Sequence, residues 1–254
     1  MHIESFLKYL QFEKRYSEHT ISAYRNDLYQ FSEFLEIEFS GCRPASASRG
    51  EIRSWIASLA GDNHLTSRSV QRKLTSLRSF YKFLLRDGEI NKNPCIGISS
   101  PKTDKKLPVF LTQSQTGKLY DEDYFSHDFA GVRDRTIIEM LYNTGMRLSE
   151  AAQLKHGDID FGAMLIKVLG KRNKERMIPF NNYLKNILQA YIVKKTDEKF
   201  AIAHDDIFFV TDKGRPVYVK FIYHKVHYYL GLVSTNTKRS PHVLRHTFAT
   251  HMLN

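Results

Sequence analysis

Several features that would place this chain outside the cell or in a membrane are missing from its sequence. Only two cysteines occur among 254 residues, Cys42 and Cys95, and they form no closely spaced metal-binding pair. This excludes a disulfide framework and favours a reducing compartment, so we expect a cytoplasmic protein. No stretch approaches the roughly 18 consecutive apolar residues of a membrane span, and the N-terminus lacks an uninterrupted apolar segment. We therefore expect neither a secretory signal nor a membrane-spanning segment.

Acidic residues are also in deficit. The chain has 38 Lys and Arg against 27 Asp and Glu, a formal net charge of +11. Such an excess favours a polyanionic partner, either nucleic acid or an anionic membrane surface. The membrane is the weaker alternative, because no strongly basic amphipathic terminus stands out as an anchor. Residues 1–100 hold 14 basic and 11 acidic residues and residues 101–254 hold 24 and 16, so we expect the partner to touch both halves.

A stretch rich in proline, serine and charge, NPCIGISSPKTDKKLPVF, interrupts the regular hydrophobic patterns. It predicts a linker at residues 100–107 between a first domain, residues 1–99, and a second, residues 108–254. Apolar residues recur at helical spacing throughout the first domain, which predicts a small helical bundle. Its predicted helices cover residues 3–14, a segment capped by Ser17 and running to residue 35, residues 49–60, and a segment capped by Ser67 that ends near Gly88.

The second domain mixes helical and strand patterns. Hydrophobic residues on both sides of a basic turn at residues 164–180 predict a strand, a hairpin turn and a strand, and residues 206–210 (DIFFV) predict another short strand. Helices are predicted at residues 129–142, 148–154, 182–195 and 219–232, and a last one begins at Ser240 and Pro241. The expected fold is mainly α with a small α+β part.

The last predicted helix of the first domain carries cations along one side. At about 100° per residue they fall within an arc of about 120°, opposite the apolar residues. No acidic residue occurs between Asp62 and Asp87. A solvated outer face is the alternative, but such faces usually mix both signs. We therefore predict a phosphate-contacting face formed by Arg68, Arg72, Arg78, Lys82 and Arg86.

In the second domain, the segment TGMRLSE (residues 144–150) combines a tight turn with a cation. Gly145 permits the turn, and Arg147 lies at the start of a helix, where free backbone N–H groups favour an anion. The alternative is a structural ion pair between Arg147 and Glu150.

The hairpin tip GKRNKER (residues 170–176) concentrates four cations in a projecting turn. Lys171, Arg172 and Lys174 can reach a DNA groove or a backbone phosphate. A merely solvated turn is the alternative.

Near the end of the chain, PHVLRH places His242 and Arg245 at positions i and i+3 of a helix, so both side chains share one face. A titratable imidazole beside a permanent cation suits phosphate binding and proton transfer. His246 and His251 raise the alternative of a metal site. No zincin-type Glu follows His242 and no Cys or acidic ligand lies nearby in the sequence, so we expect no metal.

The order of these motifs resembles the catalytic signature of tyrosine recombinases: an Arg in TGMRLSE, a Lys in the GKRNKER hairpin, then HVLRHTFAT. The segments at residues 20–35 and 74–85 are similar to the core-binding domain of Xer-type enzymes. This resemblance implies an N-terminal helical core-binding bundle and a C-terminal mixed α/β catalytic domain. It also implies a DNA strand-transferase that works on duplex DNA through a 3′-phosphotyrosyl intermediate, without a cofactor, as a homo- or hetero-tetramer on paired sites.

The resemblance also implies roles for individual residues. Arg147 and Arg245 would hold the non-bridging oxygens of the scissile phosphate, and Glu150 would support Arg147. Lys171 would protonate the leaving 5′ oxygen, and His242 would bind the phosphate and assist proton transfer. These roles agree with phosphoryl transfer, which depends on positioning and on neutralising developing charge.

One departure concerns the nucleophile. The family places its tyrosine beyond the H-x-x-R segment, whereas this sequence stops at Asn254. The tyrosines 218, 223, 228 and 229 precede His242, and their aromatic neighbours predict core packing instead. The resemblance therefore implies a C-terminally truncated recombinase that binds DNA but does not cleave it.

Two alternatives remain open from the sequence: a non-catalytic DNA-binding factor on the same fold, and type IB topoisomerase chemistry, which the Xer-like helices disfavour. Within the recombinases, the compact layout favours a Xer-like role in chromosome dimer resolution over integration or excision of a mobile element.

Overall fold

A computed structural model divides the chain into two compact units, Met1–Lys105 and Lys106–Asn254. The division falls within the segment predicted as a linker. The structure describes residues 2–61, 65–102, 109–119, 124–170, 174–234 and 239–251. Within these ranges no helix is long and apolar enough to cross a membrane.

The first unit is entirely helical in its described part. It contains α1 (His2–Lys8), a π-helical turn (Tyr9–Glu13), α2 (Glu18–Glu38), a 3₁₀ turn (Pro44–Ser46), α3 (Arg49–Ala60) and α4 (Ser67–Arg86). The predicted cap of α2 is confirmed, because the Ser17 hydroxyl accepts a hydrogen bond from the Thr20 backbone N–H. The predicted cap of α4 is wrong by one residue: Thr66 is the cap, and its hydroxyl accepts from the Ser69 N–H.

Aromatic side chains dominate the core of this unit. Trp55, the only tryptophan of the chain, packs against Phe31 with ring centroids 4.9 Å apart, and both are almost fully buried. Phe6 and Phe80 meet edge to face at 5.5 Å. Helix α4 ends as predicted, with Gly88 in the left-handed conformation (φ 73°) and the Glu89 N–H bonded to the Leu84 carbonyl.

The second unit places helices around a small antiparallel sheet. Its helices are α5 (Gln113–Leu119), α6 (Phe129–Thr144), α7 (Leu148–Gln153), α8 (Asn182–Asp197), α9 (Val219–Val233) and α10 (Pro241–His251). A 3₁₀ turn (His156–Asp158) leads into the strands β1 (Ile159–Asp160), β2 (Leu165–Leu169) and β3 (Glu175–Pro179), in that spatial order. The predicted strand–turn–strand is confirmed as β2 and β3, and the short strand β1 adds a third strand to the sheet. Helix α6 packs against α8 and α10, which brings α10 beside the turn that follows α6.

The strand predicted at residues 206–210 is wrong: this segment makes only isolated bridges, at Ile207 and Val210. A buried lysine explains the difference. The Nζ atom of Lys195 donates to the carbonyls of Ile207 (2.8 Å) and Phe208 (3.1 Å), so a side chain satisfies backbone groups that a strand partner would otherwise bond. The segment is apolar because Phe208 and Phe209 are fully buried, not because it joins the sheet.

Candidate active site

Arg147 lies at the N-cap position of α7 and is held by Glu150. Its Nη1 donates to Glu150 Oε1 at 2.8 Å, and its backbone N–H donates to Glu150 Oε2 at 2.7 Å. The predicted alternative of an ion pair is therefore confirmed. The Arg147 side chain is nevertheless 47 % exposed. One arm of the guanidinium is fixed while the group as a whole still faces solvent, which suits a residue that orients an anion.

Glu150 is a buried carboxylate shared by two arginines. Its side chain is only 2 % exposed, and Arg176 grips it with both terminal nitrogens, each 2.7 Å from an oxygen. Burial pushes the pKa of Glu150 up, but the hydrogen bonds from Arg176 and Arg147 outweigh it and lower the pKa to about 2. Glu150 is therefore ionised throughout the physiological range and holds both guanidinium groups.

Arg245, on α10, reaches the same place from the far end of the sequence. Its Nη1 donates to the carbonyl of Gly145, in the turn just before Arg147. Burial lowers the pKa of the Arg245 guanidinium, and the positive charges of Arg147 and Arg176 lower it further, against the opposing effect of Glu150. Two guanidinium groups thus share one carboxylate, and a third lies close enough for their charges to act on it, so an added anion would relieve the repulsion.

The turn that carries this arrangement requires glycine. Gly145 has φ 58°, in the left-handed region that side chains rarely adopt. A Cβ atom here would lie 2.5 Å from Cδ1 of Phe248, on α10. Close packing of α10 on this turn is what lets Arg245 bond to the Gly145 carbonyl.

His242 precedes Arg245 by three residues on α10, and its side chain is exposed. Within the described ranges, no hydrogen bond or ion pair involves its imidazole. The i, i+3 spacing places it on the side of the helix that carries Arg245. Groups of three or more His, Cys, Asp or Glu side chains that could hold a metal are absent from the described part of the chain.

The β2–β3 hairpin is described only at its base. Gly170 donates its N–H to the Lys174 carbonyl at 2.7 Å, and the Lys174 side chain is exposed. The predicted site residues Lys171 and Arg172 lie outside the described residues.

Arg176 is the site residue that the motif analysis missed as an individual. The basic hairpin motif groups Arg176 with three other cations, although Arg176 lies beyond the turn, within β3. Strand periodicity contains the signal: Ile178 faces the core, so Arg176, two residues earlier, shares that inward face. In the sheet, Arg176 pairs with Val168 and Ile178 pairs with Ile166.

Three of the five cations predicted along α4 have partners within the protein. Arg72 donates both terminal nitrogens to Asp27, a buried carboxylate on α2, and Arg86 pairs with Asp87 at 3.1 Å. Arg78 turns toward the protein and donates to the Ile98 carbonyl at 2.6 Å. Three of the five predicted cations therefore have protein partners, and one of these partners, Asp27, belongs to another helix and cannot be seen on a helical wheel of α4.

Two residues of that face fit the prediction better. Arg68 and Lys82 are exposed, and neither side chain has a hydrogen-bond or ion-pair partner among the described residues. Contact of this face with DNA stays a prediction.

The prediction that tyrosines 218, 223, 228 and 229 pack in the core is correct for one of them. Tyr229 is 8 % exposed, and burial is the main cause of its raised pKa. Tyr218, Tyr223 and Tyr228 are between 40 % and 60 % exposed. These three tyrosines lie on or just before α9. Their side chains are on the outer face of that helix, so aromatic neighbours in the sequence do not indicate burial here.

Comparison with known protein families assigns this chain to a family. The sequence matches the phage integrase family over residues 109–254 and the phage integrase N-terminal SAM-like domain over residues 3–88. This chain belongs to the phage integrase family. Its relatives include tyrosine recombinase XerC of Oceanobacillus iheyensis, 37 % identical over 100 % of this chain and 83 % of the relative. XerC of Bacillus subtilis is 35 % identical over 99 % of this chain and 83 % of the relative.

Solved structures confirm the fold of this recombinase. XerH bound to a palindromic difH substrate, in a post-cleavage complex, matches with a TM-score of 0.75 and 20 % identity, over 98 % of this chain and 72 % of that one. The Tn1549 transposon integrase in complex with circular intermediate DNA matches with a TM-score of 0.75 and 21 % identity, over 100 % and 87 %. The expected architecture, an N-terminal helical domain and a C-terminal mixed catalytic domain, is confirmed.

Proposed function

We propose that this recombinase acts in the cytoplasm on duplex DNA at specific sites, cutting and rejoining strands through a 3′-phosphotyrosyl intermediate. The observation that carries the proposal is the convergence of Arg147 and Arg245 on the turn at Gly145. Guanidinium groups match the geometry of phosphate oxygens and stay charged at all relevant pH values. In the proposed complex, each arginine binds a non-bridging oxygen of the target phosphate and stabilises the charge that develops in the transition state.

The remaining roles follow the same chemistry. Lys171 would protonate the leaving 5′ oxygen, and His242, one helical turn from Arg245, would assist proton transfer at the phosphate. The exposed cations Arg68, Lys82 and Lys174 would contact backbone phosphates, which position the protein on the duplex. The partnered arginines 72, 78 and 86, together with Arg172, are proposed contacts of the same kind.

We propose a Xer-like biological role, resolution of chromosome dimers by a homo- or hetero-tetramer on paired sites. Relatives named XerC at 35–37 % identity favour this role over integration or excision of a mobile element. We also propose that residues 1–254 alone bind the site without cleaving it. The supporting observation is that all four tyrosines on or near α9 precede α10, which carries the H-x-x-R segment, and that Tyr229 is buried.

A two-stage experiment tests the proposal. Fragments of host genomic DNA that bind the protein are selected and sequenced, and the recovered site is then prepared with a nick close to each candidate phosphate. A nick traps the cleaved strand, so any form of the protein that carries its nucleophilic tyrosine should give a covalent protein–DNA adduct. For residues 1–254 alone we expect binding without adduct.

Arg147→Lys and Arg245→Lys serve as matched variants, because they keep the charge and remove the forked geometry. We expect each to lower adduct formation by at least about 100-fold. Specific binding without an adduct from any form that extends beyond α10 and carries a tyrosine there would favour the non-catalytic DNA-binding factor. Relaxation of supercoils without strand exchange would favour topoisomerase chemistry.

A further inference from the structure

Arg176 makes a bidentate side-chain contact with the carboxylate that holds Arg147. Its two terminal nitrogens lie 2.7 Å from the two oxygens of Glu150, a fork-to-fork arrangement that fixes the plane of the carboxylate. The Arg147 backbone and Nη1 use the same two oxygens. With Glu150 only 2 % exposed, water cannot easily replace a lost partner.

The two arginines that share the carboxylate use it differently. Arg176 is 36 % exposed and uses both ends of its fork on Glu150, whereas Arg147 is 47 % exposed and contributes one side-chain nitrogen. If Arg176 were absent, the buried carboxylate would lose its bidentate partner. The Arg147 guanidinium would then be drawn onto Glu150 to compensate, and away from the direction in which it now faces.

Arg176 also belongs to the strand that leaves the basic hairpin. It lies two residues after Lys174, whose carbonyl closes the hairpin base with the Gly170 N–H. The contact with Glu150 therefore ties the start of β3 to the first turn of α7, the two elements that flank the candidate site.

We propose that Arg176 is a positioning residue of this recombinase: by holding Glu150, it keeps the Arg147 guanidinium directed at the target phosphate. The inference rests on the proposed function, since it assigns Arg176 an effect on phosphate binding by Arg147. Arg176 itself does not touch the phosphate in this account.

Three variants separate this role from a loss of charge or of folding. Arg176→Gln removes the charge and the fork, and Arg176→Lys keeps the charge alone. Lys167→Gln is the matched control: it removes one cation from the neighbouring strand β2, where Lys167 is 46 % exposed and lies 4.0 Å from Asp158. Thermal unfolding of the whole chain, followed by circular dichroism, checks that each variant is folded.

The probe is the selected duplex with a methylphosphonate in place of the target phosphate, which removes its negative charge. Binding is measured for the ordinary and the substituted duplex, so no cleavage is required. We expect the substitution to weaken binding by wild type and by Lys167→Gln about tenfold. For Arg176→Gln and Arg176→Lys we expect a penalty of about threefold or less, because a misdirected Arg147 no longer senses the charge.

The outcomes separate failure of the role proposed for Arg176 from failure of the proposed function. A wild-type penalty that persists in full in folded Arg176→Gln overturns the role of Arg176 and leaves the proposed function intact. Full rescue by Arg176→Lys overturns the requirement for a bidentate contact, since a point charge on Glu150 would then suffice. If no phosphate of the duplex shows a wild-type penalty, the proposed function itself fails.

Discussion

Replacement of Glu150 by glutamine tests the electrostatic core of the site. The substitution keeps the shape of the side chain and removes its charge, so Arg147 and Arg176 lose their shared anion. The pKa of Glu150 is lowered from an ordinary value of 4.5 to about 2. Since one pKa unit corresponds to about 1.4 kcal/mol, the ionised carboxylate stabilises the folded second unit by about 3 kcal/mol at neutral pH.

The pH dependence follows from the direction of this shift. Because the pKa of Glu150 is lower in the folded than in the unfolded state, ionised Glu150 stabilises the fold at pH values above its unfolded-state pKa. This contribution is lost as the pH falls toward about 2. The wild type should therefore exceed Glu150→Gln in unfolding free energy by about 3 kcal/mol at pH 7 and by about half of that near pH 3. The glutamine variant has no titrating group at this position, so the difference between the two proteins isolates Glu150.

The assay must separate the two units of the chain. Hydrogen exchange of peptides covering α7 reports opening of the second unit. Trp55, the only tryptophan, lies in the first unit, so its fluorescence in urea is an internal control that Glu150→Gln should leave unchanged. A stability difference below about 1 kcal/mol at pH 7, or one independent of pH, would refute the reasoning.

Three further changes have expected outcomes. Asp27→Asn removes the buried partner of Arg72 and should destabilise the first unit by about 3 kcal/mol, measured by Trp55 fluorescence in urea; an unchanged midpoint would contradict it. Gly145→Ala forces a side chain into the left-handed region and against Phe248, and should cost at least about 2 kcal/mol by hydrogen exchange of the second unit, whereas a cost near zero would count against the described turn. DNA affinity should fall at least about 100-fold between about 50 and about 200 mM salt, because bound cations release counterions; a salt-independent binding constant would exclude a phosphate-dominated interface.

Local signals explain what the sequence could predict of the site. Gly145, Arg147 and Glu150 lie within six consecutive positions, so turn, cation and supporting acid form one readable motif. His242 and Arg245 are joined by helical spacing in the same way. Most helices were predictable because apolar periodicity and caps such as Ser17 are properties of short segments.

The contacts that sequence reasoning missed are those between distant segments. Nothing near Arg72 in the sequence indicates that Asp27, on another helix, neutralises it. Strand periodicity places Arg176 on the inward face of β3, but only the structure shows that Glu150, on α7, lies against that face. The apolar segment at residues 206–210 resembled a strand because most of its residues are buried. The sequence does not show that a lysine from another helix, Lys195, bonds two of its carbonyls in place of a neighbouring strand.

A scan of neutral phosphates along the selected duplex tests the central claim most directly, namely that Arg147 and Arg245 bind one phosphate together. Methylphosphonates are introduced one position at a time, and the binding of each duplex is compared between wild type, Arg147→Gln and Arg245→Gln. We expect one position in each half-site to show a wild-type penalty of about tenfold that falls to about threefold in each variant, because the remaining arginine still binds the same phosphate. If the two variants instead lose their sensitivity at different positions, or retain it everywhere, the two arginines do not share a phosphate and the account is contradicted.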